Sequence, residues 1–341
     1  MVGGSGGVSL EPLSFTDLEG FDADDARAAL AVFAGAARAL AAERPPLRAA
    51  VAPSPALRRV ARAALAADGK AASRFFTDNF RPFRVRPEGP RGFVTGYYEP
   101  WVLGSATPTP EFTAPILARP PDLASRAPYP YRAAIETEAR APLLWLVDAV
   151  EVFLIQVQGS ARVELTDGRR VRLVYDGRNG LPYTSIGRLL IEAGEIPESK
   201  MSLARLKAWL RANGLQPGEP ARELMRRNRS YIFFRIEEGF APDEGPIGGA
   251  GLPLTPLRSI AVDRAIWPYG TPFWIDARLP WRDETAEPFR RLMIAQDTGS
   301  AILGPARADI FFGGGGEAGA RAGAIRHAAD FTVLLPIGDE V

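Results

Sequence analysis

Cysteine is missing from all 341 residues, and that absence removes thiol nucleophiles, disulfides and thiolate-bound metals together. Histidine occurs once, at His327. A multi-histidine zinc site therefore has no ligands, and a Ser-His-Asp triad would have to use that one residue. Its neighbours Arg326 and Ala328 give it no catalytic partner, so it is expected at a surface or a helix end. No stretch reaches the roughly 20 apolar residues that a membrane span needs. A surplus of charge of either sign is also missing. With 41 basic side chains against 40 acidic ones, the net charge is +1, and no long-range field draws the chain to nucleic acid or to an anionic membrane. Arginine pairs such as Arg58-Arg59 and Arg226-Arg227 are expected on solvated helix faces. The first residues, MVGGSGGVSLEPLS, contain no apolar core of the kind a signal peptide carries. An export signal, like a cysteine for lipid attachment, is expected to be absent from this sequence.

Carboxylates are left as the acid and base groups. A content of 46% hydrophobic and 24% charged residues describes a globular chain, long enough for about two domains. The stretch richest in chemical signal runs from Arg290 to Leu335. It holds Asp297 and Asp309, twelve positions apart, each followed closely by glycine. Leu292 to Ala295 and Ile310 to Phe312 read as strands, which puts both acids at strand ends. Gly299, Gly304 and the run Gly313 to Gly316 let a bulky ligand approach the main chain, and Glu317 to Gly323 reads as a short helix. An acid on a strand end beside a glycine floor suits polysaccharide chemistry. The plainer alternative is that both aspartates cap turns.

Taken in order, the chain begins with three helices: Asp22 to Glu43, with acids in the first turn where the helix dipole favours them, the segment after Pro55, and Lys70 to Phe80. From Arg91 a strand leads into Tyr97-Tyr98-Glu99-Pro100-Trp101, whose aromatic faces can stack on sugars while Thr95 and Tyr97 offer hydroxyls. Proline-dense sequence marks an irregular connection from Thr107 to Pro130. Val152 to Val157 reads as an apolar strand, and Asp167-Gly168 as a hairpin turn between Arg162–Leu165 and Arg169–Val174. Tyr175, Asn179, Tyr183 and Ser185 sit on a loop entering a helix capped by Thr184 or Ser185. Gln156, Gln158 and Asn179 are either cleft amides or buried amides satisfied by backbone. Helices are expected at Leu203–Ala212 and Pro220–Arg227, and strands at Tyr231–Phe234, Ile260–Asp263 and Pro272–Ile275. If the terminal strands pack with the Arg91 region, the middle segment is an insertion.

The blocks TGYYEP, IQVQGSA, YDGRNGLPYTSIGRLL, NRSYIFF, AVDRAIWPYGTPFWID and AQDTGSAILGPARADIFFGGGGEAGARAG, in this order from about Arg91 to Pro336, resemble the lytic murein transglycosylase A family. The last two blocks are similar to its C-terminal three-aspartate domain, the acids here being Asp263, Asp297 and Asp309. The resemblance implies a mainly β fold with helices: a double-psi β-barrel domain over 1–103 and 244–341, a second, β-barrel-like domain inserted at 104–243, and a substrate groove between them. It also implies cleavage of the β-1,4 bond between N-acetylmuramic acid and N-acetylglucosamine in peptidoglycan, forming a 1,6-anhydro sugar. Asp309 would act as acid and then base, its pKa raised by the neighbouring Ile310-Phe311-Phe312 and by the charge of Asp297. Asp297 would support it. Thr95, Tyr97, Gln156, Gln158, Ser160, Tyr175, Asn179, Tyr183, Ser185 and Asp263 become the substrate-side residues. The resemblance implies no metal or organic cofactor, a monomer acting on glycan strands, cell-wall synthesis enzymes as partners by analogy, and a periplasmic location associated with the outer membrane. Two departures stand out: the glycine tract Gly313 to Gly316, and Arg307-Ala308 where some members carry histidine and an aromatic residue.

Three other readings stay open. An inverting hydrolase would use Asp297 and Asp309 roughly 6.5–9.5 Å apart with a water between them. Asp297-Thr298-Gly299-Ser300 matches the aspartic peptidase signature, but that chemistry needs a second such loop or a symmetric dimer. A murein-binding protein without turnover would keep the same residues.

Overall fold

The computed structural model describes residues 8–125 and 129–339. The chain forms two compact units. The first falls within Met1–Tyr97, Glu244–Gly313 and Ala324–Val341, and the second within Tyr98–Asp243 and Gly314–Gly323. In chain order, the first unit opens with β1 (Val8–Pro12), α1 (Ala26–Ala41), α2 (Pro55–Ala64), α3 (Ala72–Asn79), β2 (Phe80–Pro87) and β3 (Phe93–Glu99). The second unit holds β4 (Trp101–Gly104), β5 (Ala114–Leu117), α4 (Arg132–Glu138), β6 (Pro142–Leu146), α5 (Ala149–Gln158), β7 (Ser160–Leu165) and β8 (Arg170–Arg178). It continues with α6 (Ile186–Glu192), α7 (Leu203–Ala212), α8 (Pro220–Arg227) and β9 (Ile232–Glu237). The remaining elements are β10 (Ser259–Val262), β11 (Pro272–Leu279), β12 (Glu287–Asp297), β13 (Arg307–Gly314), α9 (Gly315–Ala324) and β14 (Arg326–Pro336). Among the described residues, no helix is long and apolar enough to cross a membrane.

The sheet of the first unit runs β1-β2-β14-β11-β12-β10-β13-β3, and a second pairing joins β3 back to β14. Six strands thereby close into a ring, with β2 and β1 continuing from β14. The closure works because β14 changes partners along its length: Arg326–Ala328 pair with β3, Ala329–Val333 with β11, and Thr332–Pro336 with β2. β10 runs parallel to β12 and antiparallel to β13. The three helices pack through Leu30, Phe33, Val60 and Phe76 onto Trp274, Leu292, Ile294 and Leu334.

Local signals account for the helix starts. Ser54 accepts from Leu57 N at 3.0 Å ahead of Pro55, which fills the first helical position of α2 at no hydrogen-bonding cost. Helix α1 begins later than its acids suggest, because Asp25 is its N-cap. Asp24 turns away to a different task. Its buried carboxylate takes Arg258 Nη1 at 2.7 Å, Arg258 Nη2 at 2.8 Å and Leu292 N at 2.9 Å.

The second unit has a four-stranded sheet, β4-β7-β8-β9, and the hairpin-like pair β5-β6. Asp167-Gly168 makes the β7–β8 turn, with Gly168 at φ +85° in the left-handed region. Val152–Val157 is helical, which corrects the strand expected there. Asp148 caps α5 by accepting from Glu151 N at 2.9 Å, and Gly159 ends it at φ +89°. Its residues are buried on most sides, Val150, Val152, Phe153, Leu154, Ile155 and Gln156 among them. His327 belongs to the first turn of strand in β14 opposite Val94, half-buried, and not to a helix end.

Candidate active site

The two acids are register neighbours of a single residue. Ala261 on β10 pairs with Asp297 of β12 on one side and with Asp309 of β13 on the other. Residues directly opposite in a ladder project to the same face. Two interstrand steps put the acid backbones about 10 Å apart. The β10–β12 register skips at this point, so that Gln296 is the extra residue of a bulge. Bulges re-aim the next side chain, and here that is Asp297. Gln296 itself is buried and its Oε1 accepts from Ser259 Oγ at 2.5 Å, which fixes the bulge.

On β3, Thr95 and Tyr97 are two apart and so face the same way. The Tyr97 hydroxyl donates to Asp297 Oδ2 at 3.0 Å, and Gly249 N donates to Asp297 Oδ1 at 2.7 Å. Both oxygens of Asp297 are therefore engaged. Gly249 is close-packed: a Cβ there would lie 2.5 Å from Tyr269 Oη and 3.3 Å from Asp297 Oδ1. Burial and the nearby Asp297 charge push both phenols, Tyr97 and Tyr269, up in pKa, and Asp309 adds to the effect on Tyr97. They remain protonated donors. The Tyr97 ring packs on Phe311 with centroids 5.4 Å apart.

Asp309 has a different environment. Thr95 Oγ1 lies 2.7 Å from Asp309 Oδ1, and Arg307 Nη2 donates to the same Thr95 oxygen at 2.7 Å. A hydroxyl has one proton, and guanidinium can only donate, so the Thr95 proton points at Asp309 Oδ1. No hydrogen bond reaches Oδ2 among the described residues, and the side chain is partly open to solvent. Burial pushes the Asp309 carboxyl up from the usual range. Arg307 and the Thr95 hydrogen bond oppose that rise, while the charge of Asp297 adds to it. Asp309 is thus an acid with one oxygen held and the other open.

Asp263, just past β10, accepts from Ala265 N at 3.0 Å and from Gly304 N at 2.8 Å, tying two loops together. The remaining residues singled out in the sequence belong to the second unit. Gln156 Oε1 accepts from buried Arg132 Nη1 at 2.6 Å, and Gln158 Oε1 accepts from Tyr98 N at 3.1 Å. Ser160 opens β7 and Tyr175 lies on β8, while Tyr183 is half-buried in the loop before α6. Asn179 donates to Pro130 O at 3.1 Å and Arg229 O at 2.8 Å, and accepts from Tyr231 N at 2.9 Å. Ser185 is the N-cap of α6, accepting from Arg188 N at 3.3 Å. Sequence reasoning did not include Arg307, Gly249 or Tyr269 in the site. Only Arg307 carried a signal: it is two positions before Asp309 on one strand, and so shares its face. Among the described residues, no group of three or more potential ligands could hold a metal ion.

A family model described as "MltA specific insert domain" matches residues 93–235, and one described as "3D domain" matches residues 258–335. The membrane-bound lytic murein transglycosylase A of Escherichia coli K12 is 35% identical over 274 residues, which is 76% of this chain and 71% of the relative. The crystal structure of a membrane-bound lytic murein transglycosylase from Agrobacterium tumefaciens superimposes with a TM-score of 0.85 at 36% identity, covering 96% of this chain and 98% of that one. The E. coli MltA structure with bound chitohexaose gives a TM-score of 0.64 at 31% identity, covering 82% of this chain and 81% of that one. Fold and site together define a sheet-rich enzyme of the lytic transglycosylase class. Within that class, the chain belongs to the lytic murein transglycosylase A family.

Proposed function

We propose that this enzyme cleaves the β-1,4 bond between N-acetylmuramic acid and N-acetylglucosamine in peptidoglycan, and that Asp309 alone supplies the acid and the base. The observation that carries this reading is the asymmetry of the two carboxylates. Asp297 has both oxygens engaged, by Tyr97 and by Gly249. Asp309 has a raised pKa and one oxygen open.

In the first step the Asp309 proton passes to the glycosidic oxygen as the bond from C1 to that oxygen breaks, giving a new hydroxyl on the departing sugar. Asp309 is now a carboxylate. It takes the proton of the C6 hydroxyl while that oxygen bonds to C1, closing a 1,6-anhydro ring. The acid is regenerated and no water is consumed. Thr95 holds Oδ1 throughout, which leaves Oδ2 to carry the moving proton, and Arg307 offsets the charge of the carboxylate form. Asp297, fixed by two donors, contributes a stationary negative charge beside the developing oxocarbenium. The partly parallel six-stranded ring supports a double-psi barrel as the frame of these acids. Relatives named as membrane-bound support work in the bacterial envelope, at the outer membrane.

Mass spectrometry of the products from insoluble peptidoglycan tests the reading. Soluble fragments ending in 1,6-anhydro-muramic acid, lost with Asp309→Ala, are expected. Reducing ends, with Asp297→Ala as damaging as Asp309→Ala, would instead assign a two-acid hydrolase. Binding without release would assign a murein-binding protein.

A further inference from the structure

Trp101 is an aromatic residue that the chemistry above does not use. It is 58% exposed, as is its neighbour on the same face of edge strand β4, Leu103, at 62%. Large exposed apolar side chains are ordinary when mobile and scattered, but Trp101 is held in place. The Arg162 guanidinium lies 5.3 Å from its ring centroid and 5.2 Å from that of Phe240, and Arg172 lies 4.2 Å from Phe240. This alternation of aromatic ring and cation is tied from below by one buried carboxylate. Glu99 accepts from Arg162 Nε at 2.8 Å and from Arg172 Nε at 2.9 Å. The indole also lies against bare backbone. A Cβ on Gly314 would come within 2.5 Å of its Nε1, and one on Gly315 within 3.2 Å of its ring. Two glycines of the unusual tract are therefore explained by the need to seat this ring.

We propose that Trp101 is a stacking platform for a pyranose ring of the glycan strand, a subsite beyond the sugars that flank the broken bond. The proposal rests on the glycan reading of the site. A pre-positioned indole offers a flat apolar face to the C–H face of a sugar at little entropic cost, and its N–H remains available to a hydroxyl. The occupant is a sugar because β13 carries Asp309 at its third residue and ends at Gly314, against the indole. A neutral pyranose also needs no counter-charge, and the two arginines of the stack are already committed to Glu99.

The test is binding of chitohexaose to the full chain made inactive by Asp309→Ala, measured calorimetrically, with and without Trp101→Ala. Loss of one stacking contact should weaken binding on the order of tenfold. Trp101→Tyr should recover most of it, and in the active chain Trp101→Ala should raise KM on peptidoglycan while leaving kcat in place. The melting temperature should not move with an exposed ring, which separates the subsite from a folding effect. Binding within twofold of the Asp309→Ala parent overturns the platform and leaves the Asp309 chemistry untouched. A parent that neither binds the oligosaccharide nor digests peptidoglycan overturns the platform together with the reading beneath it.

Discussion

Thr95→Val tests the link between the proton on Asp309 and the residues that set it. The change is nearly isosteric but removes a hydroxyl that accepts from Arg307 at 2.7 Å and donates to Asp309 at 2.7 Å. Each is a bond to a charged group, worth about 1.5–3 kcal/mol when fully buried. Asp309 and Arg307 are both partly open to solvent, so water restores part of the loss. A net loss of about 2 kcal/mol of transition-state stabilisation, roughly thirtyfold in kcat/KM, is expected. The direction in pH follows from the causes acting on Asp309. The Thr95 hydrogen bond lowers its pKa against the stronger effect of burial. Removing that bond therefore raises the pKa further and keeps Asp309 protonated to higher pH. The basic limb of kcat/KM, followed by release of dye-labelled peptidoglycan, should move to higher pH in the variant. A thirtyfold loss with an unmoved basic limb would refute the coupling and leave Thr95 as a substrate contact only.

Other variants probe the same frame. Asp309→Asn should abolish turnover yet raise the melting temperature at neutral pH. The raised pKa means that the native state favours the neutral acid, so this group's contribution to stability is complete below the unfolded value near 3.8 and is lost as pH rises through the folded value. The gain should vanish in acid, and a gain that persisted there would contradict the assignment. Gly249→Ala forces a methyl to within 2.5 Å of Tyr269 Oη. About 1–3 kcal/mol of stability should be lost in urea unfolding, with reduced turnover as Asp297 is displaced; parental values in both would show that the loop yields freely. Asp24→Ala strands the buried Arg258 guanidinium and should cost about 3–5 kcal/mol in urea titrations. A cost under 1 kcal/mol would mean that water reaches Arg258.

Local chemistry was readable from the sequence wherever a short-range signal dominated. Pro220 and Ser202 start their helices, Gly168 turns its hairpin, and Asp297 ends its strand as expected. Val152–Val157 misled because burial on most sides leaves no polar face to mark the helical period. The signals that identify α5 are its ends, Asp148 three residues before Glu151, and Gly159. Nothing local announces that Thr95 meets Asp309, 214 positions away, or that Tyr97 meets Asp297, 200 away. Those meetings depend on β3 joining β13 and on the bulge at Gln296, and strand order is a property of the closed ring. Arg307 escaped notice for the same reason. Its importance comes from the Thr95 hydroxyl it polarises.

The last strand bears a burden out of proportion to its position. β14 is bonded to β2, β3 and β11, so the ring that holds the acids stays open until the chain has been synthesised nearly to its end. During synthesis the segment Tyr98–Asp243 is complete far earlier, while β2 and β3 wait with their edges unsatisfied for partners some 250 positions downstream. A ribosome that stalls shortly before Arg326 would release a chain with its aspartates already made but no closed frame to raise the pKa of Asp309. Catalytic competence would then arrive last, as a property of the finished polypeptide, and a lytic activity directed at the cell's own wall would be withheld from every incomplete copy.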